Sequence, residues 1–246
     1  MWRHKAHSSQ IGESMRIAMW SGPRNLSTAM MYCFGNRADF AVMDEPFYAP
    51  YLAETGLDHP RYQAIIAAHE TDPKRVAKAC GNGVREHLYM KHMPHHMLAG
   101  FPMGWADGCV NIHLIRHPAR VIASYVAKRE APTLDDIGFL QQSAIYDRIG
   151  GLVIDSTDIR ADPEGMLRKL CAAIGLPFDD AMLHWPAGPR PEDGVWADHW
   201  YGAVHRSTGF AGVEGPLPVL SGSDRALMET ALPHYERLWA HRLQPS

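Results

Sequence analysis

Arg16-Ile-Ala-Met-Trp-Ser-Gly-Pro-Arg-Asn-Leu-Ser-Thr28 is the stretch that decides the fold. Ile17–Trp20 is a continuous apolar run, the pattern of a strand buried on both faces. Ser21–Thr28 reads as a turn shaped by Gly22 and Pro23, and a helical pattern covers about 25–36. In an open parallel sheet, ligands bind where the carboxyl end of a strand feeds a helix. Free N–H groups and the helix dipole favour an anion there. Arg24 adds a fixed positive charge, and Ser27 and Thr28 add hydroxyl donors. The plainer reading is a strand–helix turn in which Ser27 is an N-cap.

Outward from that stretch, short apolar runs recur at Phe40–Met43, Leu88–Met90, Val110–Ile115 and Leu152–Ile154. Helical patterns fall near 61–80, 94–100, 117–129, 134–149 and 162–175. The alternation predicts an α/β domain with a central parallel sheet of about five strands. Asp162-Pro163-Glu164 has the form of a helix start, and Gly175 that of its stop. Residues 185–221 break the pattern with many Gly and Pro and with Trp185, Trp196 and Trp200. So long an aperiodic stretch is expected to be a lid, and its aromatic residues argue that it is ordered and packed. A last helix is expected over about Ser223–His241.

The chain has 246 residues, 46% of them hydrophobic and 21% charged, and a formal net charge of -3. That suits a globular domain and disfavours general nucleic-acid binding, which needs a basic surface. No run of about 18 apolar residues occurs, so no membrane partner is expected. Cysteines 33, 80, 109 and 171 stand far apart, which predicts free thiols and a cytoplasmic location. Residues 1–15 are polar and aperiodic and read as a disordered extension, leaving 16–246 as one domain with the 185–221 lid.

The loop departs from the nucleoside-triphosphate loop GxxxxGK[ST]. Counted from Gly22, its second Gly, Lys and metal-binding hydroxyl fall on Ser27, Thr28 and Ala29. Three further strand ends carry charge: Asp44-Glu45 after the second, Lys91 after the third and Arg116 after the fourth. Arg24, Glu45, Lys91 and Arg116 would converge at one edge of the sheet, an arrangement suited to moving an anionic group. Singly, each is an ordinary surface charge.

These residues resemble the sulfotransferases that use 3′-phosphoadenosine 5′-phosphosulfate (PAPS). Pro23-Arg24-Asn25-Leu26-Ser27-Thr28 matches their Pro-Lys-Ser-Gly-Thr-Thr loop without a gap. Arg116, Pro118 and Ser124 match their Arg-x-Pro-x-x-x-x-x-Ser element, and His205–Phe210 is similar to a C-terminal basic loop. Here Arg24 stands for the usual Lys, Leu26 for Gly, and Ser156 for a Tyr that packs near the adenine. The resemblance implies a P-loop-like three-layer fold and a cytoplasmic transferase that moves a sulfuryl group to a hydroxyl or amine of a small acceptor. It implies PAPS as co-substrate, without a metal. Gly22, Pro23, Arg24, Asn25, Leu26, Ser27 and Thr28 would bind the phosphosulfate, and Arg116, Ser124, Arg206 and Ser207 the 3′-phosphate. Arg24 and Lys91 would stabilise the transferring group. Glu45 is the first candidate base, with a turn cap before Pro46 as its plainer role. His92, His95 and His96 compete for the base. On a helix, His92 and His96 would share a face with metal-ligand spacing, but no third ligand is apparent. Two other readings stay open, a nucleotide-dependent kinase of related fold and a non-catalytic nucleotide-binding protein.

Overall fold

The computed structural model describes residues 14–82, 87–128 and 131–245. Most of the 1–15 extension therefore lies outside the described residues, but Met15 donates its backbone N–H to His87 Nδ1 at 2.9 Å. The apolar runs form β1 (Arg16–Ser21), β2 (Phe40–Asp44), β3 (His87–His92), β4 (Val110–Ile115) and β5 (Leu152–Asp155). They pair in parallel in the order β2-β3-β1-β4-β5.

Helices cover both faces. They are α1 (Ser27–Gly35), α2 (Tyr48–Thr55), α3 (Tyr62–Ala68), α4 (Pro73–Gly81), α5 (Pro118–Val126), α6 (Leu134–Ile137) and α7 (Phe139–Ile149). After β5 follow α8 (Ser156–Ala161), α9 (Pro163–Ala173), α10 (Ala197–Trp200), α11 (Gly202–His205) and α12 (Gly222–Trp239). Strand side chains alternate between the layers, as a pleat requires. Ile17, Met19, Tyr89, Ile112, Leu114 and Ile154 join the core under α1 and α9. Ala18, Trp20, Leu88 and Met90 face the opposite side, towards α4 and Trp105.

Several helix boundaries differ from expectation. The pattern at 61–80 is two helices, because Asp72 caps Lys74 N at 2.8 Å and Pro73 opens a new helix. The pattern at 134–149 breaks at Gly138, which has φ 69°. Residues 94–100 form only a 3-10 turn over Pro94–His96. Consequently His92, which ends a strand, and His96 share no helix. α2 and α8, only 8 and 6 residues long, lie outside the helical patterns of the sequence. Asp162 caps α9 through Gly165 N at 2.9 Å, as its sequence predicts. The aromatic 185–221 segment is packed: Trp185, Trp196 and Tyr201 are buried in the core shared with α1 and α2.

β1 connects leftward to β2, and β4 connects rightward to β5. Their carboxyl ends are neighbours whose chains leave in opposite directions, which opens a crevice at that point.

Candidate active site

The loop after β1 is held by its neighbours. Asn25 Nδ2 donates to Leu114 O of β4 at 3.1 Å, and Asn25 Oδ1 accepts from Leu26 N at 2.7 Å. Gly22 lies so close to the α6–α7 junction that a Cβ would meet Ile137 O at 2.9 Å. Arg24 has φ 55°, a left-handed conformation uncommon for a residue with a side chain. Its guanidinium lies 4.9 Å from the Tyr125 ring centroid and 5.1 Å from that of Trp200. The N-cap of α1 is Leu26, not Ser27, and no side chain caps the helix. The plainer reading of Ser27 therefore fails, and the first N–H groups of α1 have no side-chain acceptor from the cap.

One cavity of about 480 Å³ runs along this edge. It is lined by Pro23–Ala29, Glu45, Lys91, Arg116 and Ser124, so the expected convergence of the four strand ends is present. Ser207 also lines it, whereas Arg206 is exposed and Gly22 acts from behind the loop. Ser156, buried with an unpartnered hydroxyl, also lines the cavity; it follows Asp155, whose register partner Ile115 precedes Arg116.

Glu45 sits just past β2 with φ 40°, fixed by Glu45 N to Lys91 O at 3.0 Å and Tyr48 N to Glu45 O at 2.9 Å. Lys91 pairs in register with Asp44, so both side chains leave the same face of the sheet. The Lys91 ammonium donates to Asp44 Oδ1 at 3.1 Å, to Glu45 Oε1 at 2.6 Å and to the Tyr201 hydroxyl. An ammonium has three donors, and these partners take all three. Lys91 thus lines the cavity with its charge shared between Asp44 and Glu45. Tyr201, which sequence reading missed, lies 2.8 Å from Asp44 Oδ2 and 3.1 Å from Glu45 Oε1 and accepts from Trp196 Nε1 at 3.0 Å. Burial pushes the Glu45 carboxyl above its usual range; Lys91 opposes this and Asp44 adds to it. Burial alone would lower the Lys91 ammonium, but Asp44 and Glu45 outweigh it and raise it.

The histidines divide by the period of the strand. Lys91 faces α1, so His92 faces away, packed 4.7 Å from Trp20 and 4.8 Å from Trp105. Burial pushes it down to about 3, and it does not line the cavity. His95 and His96 do line it. His96 stacks on Tyr48 at 4.4 Å, with Nδ1 3.9 Å from Glu45 Oε2. Burial, reinforced by neighbouring histidines, holds His96 neutral.

Fold and site together define a P-loop-like α/β protein with a cavity-lining β1–α1 loop at its switch point. The chain belongs to the sulfotransferase-domain family, whose model matches residues 15–242. Membership supports sulfotransferase activity. It is 37% identical over 94% of its length to branched-chain-amino-acid aminotransferase-like protein 1 of Arabidopsis thaliana. It is 35% identical over 92% to protein 2 of that name from the same plant. The chain spans only 43% and 41% of those relatives. The sulfotransferase domain from the curacin biosynthetic pathway shares the fold with a TM-score of 0.51, 15% identity and coverage of 89% of this chain and 98% of that one. A sulfotransferase from Alicyclobacillus acidocaldarius does so with a TM-score of 0.52, 10% identity and coverage of 94% and 97%. Among the described residues, no helix is long and apolar enough to cross a membrane.

Proposed function

We propose that the protein transfers the sulfuryl group of PAPS to a hydroxyl or amine of a small acceptor. The observation that carries this is the single cavity joining the 23–29 loop, Arg116 with Ser124, and Glu45. In the transfer, the acceptor atom attacks sulfur, the bond from sulfur to the phosphate oxygen breaks, and adenosine 3′,5′-bisphosphate (PAP) leaves. The acceptor's proton passes to Glu45. A buried carboxylate beside a second one holds a proton more readily than an exposed one, which suits a base. Lys91 and Tyr201 keep Glu45 oriented and oppose the rise that burial causes. Arg24 and the free N–H groups of α1 receive the charge on the sulfuryl and leaving oxygens. Sulfuryl oxygens carry less charge than phosphoryl oxygens, so this reading calls for no metal. Arg116 and Ser124 hold the 3′-phosphate, with the Ser156 hydroxyl beside them.

Calorimetry with PAP, ADP and ATP tests the donor before any acceptor is known. PAP should bind more tightly than ADP or ATP. Preference for ATP with magnesium would favour a kinase instead. Arg116→Ala should weaken PAP by about 1.5–3 kcal/mol, the scale of a charge-assisted hydrogen bond. Adenosine 5′-phosphosulfate, which lacks the 3′-phosphate, should be nearly unaffected. Equal losses for both ligands would assign Arg116 another role.

A further inference from the structure

Three arginines from two elements and a strand end meet at one end of the cavity: Arg116 after β4, Arg120 in α5 and Arg160 in α8. Guanidinium groups gathered this closely repel one another unless an anion lies between them. The anion here is the side chain of Glu214. Its Oε1 lies 2.5 Å from Arg116 Nη2 and 2.7 Å from Arg160 Nη1, and its Oε2 lies 3.0 Å from Arg120 Nε and 3.2 Å from Thr157 Oγ1. The carboxylate is only 2% exposed. Burial would raise it, but the hydrogen bond and charge of Arg116, with Arg120 and Arg160, hold it below the usual carboxylate range.

The chain that carries Glu214 is irregular and largely exposed. Residues 211–215 form no helix or strand, and Val213 is 72% exposed. Farther along, Val219 is 97% exposed. The arginines also bind this strap by its backbone, Arg160 Nε to Gly212 O at 2.8 Å and Arg120 Nη2 to Gly215 O at 2.6 Å. Three positive charges against one negative leave the cluster two charges short of neutral. A phosphate monoester dianion in its place would halve that excess, from two charges to one, and bring a third acceptor oxygen. Arg116 and Arg160 already line the cavity from which such a ligand would come.

We propose that Glu214 holds the place of a phosphate: a phosphate monoester entering the cavity exchanges with it on Arg116, Arg120, Arg160 and Thr157, and the 211–215 strap lifts away. This deepens the proposed function and rests on a phosphorylated nucleotide binding at Arg116. Ligand entry is then a competition between two anions for one set of donors. The unliganded protein carries its own weak competitor, which keeps the arginines together and the site closed to lesser anions.

The test combines hydrogen exchange over residues 211–215 with calorimetry. Adding PAP to the wild-type chain should raise exchange in the strap. Millimolar inorganic phosphate should do the same, whether or not the nucleotide binds. Glu214→Gln keeps the shape and removes the charge. It should tighten PAP about 10-fold, as for a competent state otherwise populated near a tenth of the time, while adenosine 5′-phosphosulfate is unchanged. If PAP binds but strap exchange does not rise, or if Glu214→Gln binds PAP equally or more weakly, the carboxylate is a permanent buttress and the exchange is wrong. If PAP does not bind but phosphate frees the strap, the exchange stands and the donor assignment falls. Should the variant fail to fold, the wild-type exchange measurement decides alone.

Discussion

Glu45 is the base of the proposed reaction, and its surroundings set what substitution there should do. Glu45→Gln keeps the shape and removes the basicity. Turnover should fall about 10²–10⁴-fold, the usual worth of a positioned base, with PAP affinity nearly unchanged. Full activity on a confirmed acceptor would move the base to His96, which stands 3.9 Å away. A base works only when deprotonated, and Glu45 is raised by burial, so kcat/KM should decline with falling pH from above the ordinary carboxylate range. An acid limb at the pH of an exposed carboxylate would contradict that environment. Lys91→Met leaves Asp44 and Glu45 buried against each other without their counter-charge. It should cost about 3–5 kcal/mol in denaturant unfolding, the scale for breaking a buried pair. The carboxyls left behind would bind protons more tightly folded than unfolded, so stability lost as pH rises should return as pH falls. A loss independent of pH would mean that packing, not charge, sets the cost. The residues at strand ends were legible in the sequence because each follows an apolar run. Tyr201 was not: its hydroxyl reaches Asp44 across 157 residues, and no spacing rule links a lid to a strand end.

At the scale of elements, the β1–α1 loop was readable because Gly22, Pro23 and Arg24 lie between two clear patterns. Its support was not readable. Gly22 backs onto the α6–α7 junction, where Gly138 takes a left-handed φ of 69° and would place a Cβ 3.9 Å from Gly22 Cα. Gly22→Ala would press a methyl against Ile137 O at 2.9 Å. It should destabilise by about 1–3 kcal/mol as an overpacked site and weaken PAP along with adenosine 5′-phosphosulfate. Unchanged melting and binding would show that the junction yields freely. The same period-2 reading that located β3 also settles the histidines, since alternation turns Lys91 and His92 to opposite faces. The short helices α2 and α8 escaped because one or two turns show too little of the 3.6 period to stand out.

For the whole molecule, the strand runs and their parallel direction follow from apolar patterning, whereas the crevice between β1 and β4 follows from the order in which they pair, which the patterning does not fix. The path of residues 185–221 does not, because Gly and Pro specify turns but not where the turned chain comes to rest. A ligand that binds only the folded chain should raise its melting temperature. PAP at 100 times its Kd should add about 2.7 kcal/mol. A melting curve unmoved by saturating PAP would mean that the cavity does not hold it. The lid's role in the Glu45 cluster also bears on the order of events as the chain is made. All five strands are complete at Asp155, yet Trp196 and Tyr201 come later from the ribosome. Until they arrive, Asp44, Glu45 and Lys91 lack the hydroxyl and the indole that close over them. On the proposed reading, the strands are therefore synthesised well before the residues that close over the base.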